Sequence, residues 1–176
     1  MKYANIKQSY RFSRFSTDNL QQVLSWIHCE KDQVLWSGNT FSRGLSPQSF
    51  LTHLRRRDLF AYELLNQKNE IHAYAEVVIQ GIDRATLCRI IVKPSHRGKG
   101  LGKFICECLI SEIREWQGIE EISLNTLTSN EIAVKCYKNL GFREDGIRKK
   151  SRQIGNTWHD LVFMSMQVND TLKNNA

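Results

Sequence analysis

Apolar residues recur along this 176-residue chain in two rhythms, alternating over short runs and repeating every three to four positions over longer ones. The first rhythm predicts β-strands and the second predicts amphipathic helices. Four helices are expected: one capped by Asp18, one opened by Ser46-Pro47, one over about 101–116 that Gly118 stops, and one opened by a Thr128–Glu131 capping box.

Seven strand-like segments accompany these helices. They lie at about 10–16, 58–65, 71–80, 85–92, 121–126, 142–153 and 157–168. Residues 66–69 and Gly155-Asn156 are turn-like and predict two antiparallel hairpins, whereas 36–41 is typical of a loop. The element order predicts an α/β (α+β) fold: a mixed, mostly antiparallel sheet of about six or seven strands, flanked by about four helices, with at least one parallel crossover.

Nothing in the chain marks a division between domains. It contains no repeat, low-complexity tract or Pro/Ser-rich linker, so residues 1–168 are expected to form a single domain and the polar residues 169–176 a tail. No window approaches the roughly 18 consecutive apolar residues of a membrane span, and residues 1–8 carry no apolar stretch of the signal-peptide kind. A cytoplasmic location without a membrane partner is the default expectation.

Charge and cysteine content narrow the chemistry further. The net charge of +7 favours either simple solubility or an anionic ligand. Basic runs at 55–57 and 148–150, with Arg152 nearby, are interpreted as solvated faces or as rims of an anion site, because no nucleic-acid-binding motif accompanies them.

The five cysteines are expected to be buried, reduced thiols. Cys106 and Cys108 are two positions apart, which on a helix turns them to different faces and makes a poor metal clamp. The histidines at 28, 53, 72 and 159 also lack metal-ligand spacing, so no metal is expected. Cys88 and Cys136 are expected to be packing residues.

A basic, glycine-rich turn between the strand at 85–92 and the following helix carries the strongest chemical signal. Its core is Arg97-x-x-Gly100-x-Gly102. A P-loop is excluded because Phe104 follows Gly102-Lys103, and a dinucleotide fingerprint is excluded because Lys103 stands where a third glycine is needed. Glycines, a helix N-terminus and cationic side chains can hold a pyrophosphate. The alternative is a turn with incidental basic residues; His96 within it is expected to be exposed.

Two motifs in order resemble the GNAT superfamily of acyl-CoA-dependent N-acetyltransferases. They are V-x-P-x-x-R-G-K-G-L-G at 92–102 and N-x-x-A-x-x-x-Y-x-x-x-G-F at 130–142. Together they cover about 85–145, and the ending at 146–166 is similar to that of small bacterial-type members.

The resemblance implies acetyl-CoA as co-substrate. The backbone of Ile90, Ile91 and Val92 would pair with the pantetheine arm, and one N–H there would polarise the thioester carbonyl. Asn130 would contact the cofactor from the second motif. The N–H groups of the turn would bind the pyrophosphate, those of Arg97, Gly98, Lys99, Gly100, Leu101, Gly102 and Lys103.

The same resemblance implies direct attack of an amine on the thioester, with Tyr137 as the acid that protonates the departing thiolate. Packing is the alternative for Tyr137. Glu76 is a candidate base because it is ionisable within an apolar run, although an outward-facing strand residue fits as well. Many family members carry a carboxylate on the strand before the turn; residues 86–89 have none, so Asn125 or backbone carbonyls could hold a water instead.

The expected function is transfer of an acetyl group to a primary amine of a small molecule or of a peptide N-terminus, by a monomer or homodimer. The alternatives are a non-catalytic CoA-binding domain and, from charge alone, a nucleic-acid-binding protein, although no nucleic acid is expected as a partner. The acceptor would be bounded by the N-terminal helices, residues 36–44 and the closing hairpin. Aromatic residues there fit a core as well as a pocket, namely Trp26, Trp36, Phe41 and Trp158.

Overall fold

The structure, a computed structural model, describes residues 4–168, and the expected tail at 169–176 lies outside the described residues. Seven strands form one sheet with the order β1-β2-β3-β4-β5-β7-β6. The strands are β1 (Tyr10–Arg14), β2 (Leu59–Asn66), β3 (Ile71–Gln80), β4 (Arg84–Val92), β5 (Glu121–Leu127), β6 (Arg143–Ile154) and β7 (Thr157–Gln167).

Six α-helices surround the sheet within the described range. They are α1 (Ala4–Ser9), α2 (Leu20–Leu24), α3 (Glu30–Ser37), α4 (Pro47–Leu54), α5 (Leu101–Arg114) and α6 (Glu131–Asn139). Two short 3-10 turns, Thr17–Asn19 and Pro94–His96, precede α2 and α5. These are two helices more than the four expected. The sequence pattern does not predict α1 and α3, because each is too short for its few apolar residues to show a helical period.

All neighbouring strands pair antiparallel except β4 and β5, which are parallel and joined by α5. The predicted mixed sheet, both hairpins and the single crossover are confirmed. The parallel pairing is short, since it joins only 84–86 of β4 to 121–123 of β5. On its other edge β4 pairs with β3, with a register slip between Tyr74 and Glu76.

Two apolar clusters pack on opposite faces of the sheet. The larger lies under α5, whose residues Phe104, Ile105 and Leu109 are buried at helical spacing, and it includes Ile6 of α1. The smaller contains Val23 of α2, Phe50 of α4 and strand residues such as Tyr74. The helical layer on this second face brings α3 against β4 and β6.

Three local expectations are wrong. Ser16 rather than Asp18 caps the first turn, accepting from Asp18 N. Trp36 belongs to α3 rather than to a loop, and the turn begins at Gly38. No capping box forms at Thr128; the side chain of Asn130 caps α6 by accepting from Ala133 N at 3.3 Å. At Ser46, by contrast, the expected helix start is confirmed, and the Ser46 side chain accepts from Ser49 N.

Membrane-spanning helices are absent from residues 4–168: none of the helices there has both the length and the apolar character that crossing requires.

Candidate active site

β4 and β5 diverge after their three paired residues, and the opening between them holds a cavity of about 370 Å³. Its wall is formed by the end of α3 and the turn after it, the splayed halves of both strands, α6 with its N-cap, and one side chain each of β6 and β7. The lining includes Trp36, Gly38, Arg89, Ile90, Asn125, Asn130, Tyr137 and Arg152. Of the residues predicted for the site, Ile90, Asn130 and Tyr137 are thus brought together.

A backbone distortion at Arg89 shapes the β4 side of this cavity. Arg89 has φ +47°, a left-handed conformation that costs a non-glycine residue about 1–2 kcal/mol. It follows the register slip between β3 and β4. The carbonyl of Arg89 accepts a hydrogen bond of 2.7 Å from Trp36 Nε1, which ties α3 to the distorted strand.

The side chain of Arg89 belongs to a buried polar cluster behind the cavity wall, and Glu76 is its centre. Glu76 Oε2 accepts from Arg89 Nε and lies 2.9 Å from His53 Nε2, and Glu76 Oε1 accepts from the Tyr74 hydroxyl at 2.6 Å. Burial raises the pKa of Glu76, but the hydrogen bond from His53 and the charge of Arg89 outweigh it, so the net pKa lies below its ordinary value.

Glu76 is 0% exposed, so the alternative of an outward-facing strand residue is wrong. It is also not one of the residues that line the cavity. Its carboxylate is ionised and saturated with donors, which leaves it a weak base. Glu76 as the general base stays a prediction.

The glycine-rich turn has the backbone shape that anion binding needs. Gly98 and Gly100 have φ of +73° and +88°, and Gly100 is the N-cap of α5. The first N–H groups of a helix have no intrahelical acceptor, and Gly100 has no side chain that could cap those of α5. Arg97 and Lys99 are exposed and donate to backbone carbonyls at Val92 and Ser95.

Gly102 differs from the other two glycines of this turn. It lies in α5 without a positive φ, and a Cβ there would meet only Val92 Cγ2 at 3.8 Å, an ordinary contact. The protein itself therefore does not require glycine at 102. Glycine at 102 leaves the backbone there open to close approach by a ligand.

His96 is partly buried, so the expectation that it is simply exposed is wrong. Its ring lies 4.1 Å from that of His72, and the Tyr10 hydroxyl lies 3.1 Å from His72 Nδ1. Burial and nearby positive charge lower the pKa of both histidines. The pair packs neutral rings beneath the turn.

Tyr137 both packs and lines the cavity, so its two interpretations are compatible. Its ring lies edge-on to Phe142 with centroids 6.0 Å apart. Its hydroxyl makes no hydrogen bond to another residue of the range 4–168. Burial raises its pKa above the ordinary value of 10, so the phenol keeps its proton at physiological pH.

Ile91 and Val92 lie on β4 but are not cavity-lining, and the turn at 97–103 stands beyond the lining as well. Ile91 is buried in the smaller cluster, so only its backbone is available to a ligand. Residues 87–92 pair with β3 on one edge, whereas the edge facing β5 is open. This open edge and the turn are on one continuous stretch of chain, which fits an elongated cofactor.

Sequence reasoning missed the roles of Arg89 and Arg152. In the sequence, Arg89 stands only where many family members carry an acid. Arg152 lies beside a basic run, but Arg148, Lys149 and Lys150 of that run are exposed, whereas Arg152 is partly buried and reaches the cavity. The fold separates them because a register slip in β6 lies between Arg148 and Arg152.

The cysteines are reduced but not all buried. Cys29 is exposed and only Cys106 is fully buried, which corrects the expectation for the set. Cys88 lines the cavity, and burial raises its pKa to about 11, so it is a poor nucleophile. No group of three potential metal ligands occurs within the described stretch.

Comparison with known proteins decides the family. The model of the acetyltransferase (GNAT) family matches residues 20–142, about 70% of the chain. The chain belongs to the GNAT family of acetyltransferases. This acetyltransferase is an N-acetyltransferase that uses acetyl-CoA, as the two sequence motifs predicted.

Its relatives include enzymes that are named for acetylation of an alanine of a ribosomal protein. It is 31% identical over 123 residues to the [ribosomal protein bS18]-alanine N-acetyltransferase of Escherichia coli K12, covering 70% of this chain and 80% of the relative. A putative enzyme of the same name from Bacillus subtilis is 24% identical over 132 residues, covering 75% and 85%.

Solved structures confirm the fold of this acetyltransferase. The E. coli ribosomal-protein-S18-alanine N-acetyltransferase superposes with a TM-score of 0.71 at 23% identity, covering 90% of this chain and 94% of the other. Spermidine N-acetyltransferase from Vibrio cholerae, in complex with CoA and spermine, superposes with a TM-score of 0.78 at 15% identity, covering 91% and 96%.

Proposed function

We propose that this enzyme transfers the acetyl group of acetyl-CoA to a primary amine, with the α-amine of a peptide N-terminus as the leading acceptor class. The observation that carries the proposal is the opening between β4 and β5, with Tyr137 on its wall. The acceptor class rests on the relatives, which are named as N-acetyltransferases for alanine of ribosomal protein bS18. We also propose a cytoplasmic location, with which a ribosomal substrate is consistent.

The described residues fit acetyl-CoA. Glycine at 102 leaves space beside the backbone that no other part of the protein fills. The N–H groups at the start of α5, which have no side-chain cap from Gly100, suit a pyrophosphate. The open edge of Ile90–Val92 offers N–H and C=O groups to an amide-containing arm. When bound, acetyl-CoA supplies a thioester whose carbonyl carbon accepts the amine.

Tyr137 is the proposed acid. Its hydroxyl makes no hydrogen bond to another described residue, and Tyr137 lines the cavity. Because the phenol stays protonated, it can give its proton to the departing thiolate. The Asn130 side chain is already committed to capping α6, and we assign it a positioning role at the start of that helix.

The amine must lose a proton before or during attack, and the cavity wall carries no Asp or Glu among its described residues. We assign proton removal to a water that Asn125 and backbone carbonyls of the splayed strands hold. Glu76 is then a positioning residue: it fixes Arg89, whose strained backbone shapes the cavity.

The test measures release of free thiol from acetyl-CoA by the full-length protein with a panel of amines. The panel contains peptides beginning with alanine, free amino acids and spermidine. Turnover of alanine peptides, with acetylation mapped to the α-amine by mass spectrometry, supports the proposal. Turnover of spermidine alone contradicts the acceptor class, and retained CoA binding without turnover of any amine contradicts the transfer reaction itself.

A further inference from the structure

Arg152 lies in the cavity wall against Gly38, the residue at the C-terminal end of α3. Gly38 ends α3 with φ +60°, and a Cβ at that position would lie 2.0 Å from Arg152 Nη1. Any other residue at 38 would therefore displace the guanidinium. Nη1 also donates to the Val34 carbonyl at 3.4 Å, which holds the group against the C-terminal end of α3.

The charge of Arg152 has no counter-ion among residues 4–168. In the part of the chain that the structure describes, no carboxylate lies within 4.0 Å of it, and burial lowers its pKa with no offsetting contribution from an acid. Two other cations differ in this respect: Arg89 is paired with Glu76 and Lys149 with Asp160. A guanidinium has five N–H donors, and a single carbonyl accepts from this one.

The other described residues of the cavity lining supply no negative charge to pair with Arg152. Its described lining residues include two arginines and neither Asp nor Glu. An acceptor with several ammonium groups would find like charge and no partner, which disfavours it. A carboxylate would find a half-desolvated fork of donors, the arrangement in which a charge-assisted pair is strong.

We infer that Arg152 binds a carboxylate of the acceptor, so that this enzyme selects amines that carry a negative charge close to the reacting nitrogen. The inference deepens the proposed function and rests on it. The carboxylate has two sources, the α-carboxylate of a free amino acid or an acidic side chain next to a peptide N-terminus.

Arg152 acts on the acceptor rather than on the cofactor's phosphates. The turn at 97–103, where the pyrophosphate is proposed to bind, does not line this cavity. Removal of Arg152 is therefore expected to change the KM for the acceptor and to leave the KM for acetyl-CoA unchanged.

The experiment compares kcat/KM within two matched pairs of acceptors. L-Alanine against L-alaninamide isolates the α-carboxylate, and an Ala-Asp peptide against the same peptide with Ala-Asn isolates the side chain. An approximately ten- to hundredfold preference for the acid in one pair is expected, the size of a charge-assisted pair. The pair that shows it identifies the source.

Arg152→Gln is expected to abolish that preference, and Arg152→Lys to restore part of it. Arg148→Gln is the matched control, because it removes one positive charge from the same strand at an exposed position over the Phe163 ring. Gly38→Ala, which keeps the charge but displaces it, is expected to behave like Arg152→Gln. Calorimetric binding of the N-acetylated acidic product, in the presence of CoA, gives a second readout that does not depend on turnover.

Equal rates within both pairs by an active wild-type enzyme overturn the inference and leave the proposed function standing. The same holds if Arg152→Gln lowers thermal stability but keeps the preference, since Arg152 would then only cap α3. Absence of turnover with every amine contradicts the proposed function and the inference together.

Discussion

Glu76 Oε2 lies 2.5 Å from both Nε and Nη2 of Arg89, a side-on ion pair between β3 and β4. The pair spans the register slip at which Arg89 takes its left-handed conformation. A conformation that costs about 1–2 kcal/mol persists where surrounding contacts hold it. The Glu76–Arg89 ion pair is thus a contact that holds the backbone of Arg89 in this conformation and so maintains the shape of the cavity wall.

Glu76→Gln is expected to lower the free energy of unfolding by about 3–5 kcal/mol, because it leaves the buried Arg89 charge uncompensated. Urea unfolding measures the loss. Asp58→Asn is the matched control: the Arg56–Asp58 pair is equally short but about 40% exposed, so about 0–1 kcal/mol is expected. Similar losses in the two variants would show that burial does not govern the Glu76 pair.

The contribution of Glu76 to stability also depends on pH. Its folded pKa lies below the ordinary value of 4.5, so the contribution is fully present above about pH 4.5 and is lost as the pH falls through the folded pKa. The difference in unfolding free energy between wild type and Glu76→Gln should therefore shrink below pH 4.5. A difference that grows on acidification would mean that the folded pKa is raised.

The pH–rate profile separates the two roles considered for Glu76. If Glu76 positions Arg89, the acidic limb of kcat/KM persists in Glu76→Gln, and the main change is a higher KM for the acceptor. Arg89→Gln, which breaks the same pair from the other side, should shift KM alike. Loss of the acidic limb in Glu76→Gln, with KM unchanged, would restore Glu76 as the general base.

Tyr137→Phe is expected to lower kcat by about 10²–10⁴-fold with little change in the KM for acetyl-CoA, because it deletes the proposed proton donor. Since the pKa of Tyr137 is raised, loss of its proton should not reduce the wild-type rate between about pH 7 and 9. Tyr62→Phe is the control: it removes a buried hydroxyl that donates to Glu112 at 3.1 Å. That variant should lose about 1 kcal/mol of stability and no activity. A fully active Tyr137→Phe would exclude the acid role.

Gly102→Ala separates ligand approach from protein packing. The new methyl group meets only Val92, and alanine favours a helix by about 0.5–1 kcal/mol, so stability should hold or rise. The KM for acetyl-CoA should nevertheless rise, by roughly tenfold or more if the methyl group displaces one charged hydrogen bond. Gly146→Ala, at another uncrowded glycine without positive φ, should change neither quantity. An unchanged KM in Gly102→Ala would place the pyrophosphate elsewhere.

Cys29 should be the thiol that a small alkylating reagent modifies first in the native protein. It is exposed, whereas burial raises the pKa of Cys88 and of Cys108 to about 11. Mass spectrometry after brief treatment at neutral pH follows each site. Rapid labelling of Cys88, suppressed by CoA, would instead indicate an activated thiol in the cavity.

The sequence predicts the sheet well because its strands carry long apolar runs. It predicts α5 because Phe104, Ile105 and Leu109 recur at helical spacing. It predicts the family and its co-substrate because the glycine turn and Tyr137 stand in local motifs, while the roles of these residues stay predictions. The acceptor side could not be predicted. Arg152 reaches the cavity through a register slip in a distant hairpin, and pairing irregularities leave no local pattern.

The parallel contact between β4 and β5 is only three residue pairs long. Beyond it, β3 is the one strand that pairs with β4 among the described residues, and the edge of β4 that faces β5 has no strand partner. A cofactor bound at this edge would take the place of an eighth strand, and part of the stability of the sheet would then depend on the concentration of CoA. Amide hydrogens of residues 90–92 should exchange more slowly with CoA bound, and the folded state should gain stability as the logarithm of CoA concentration.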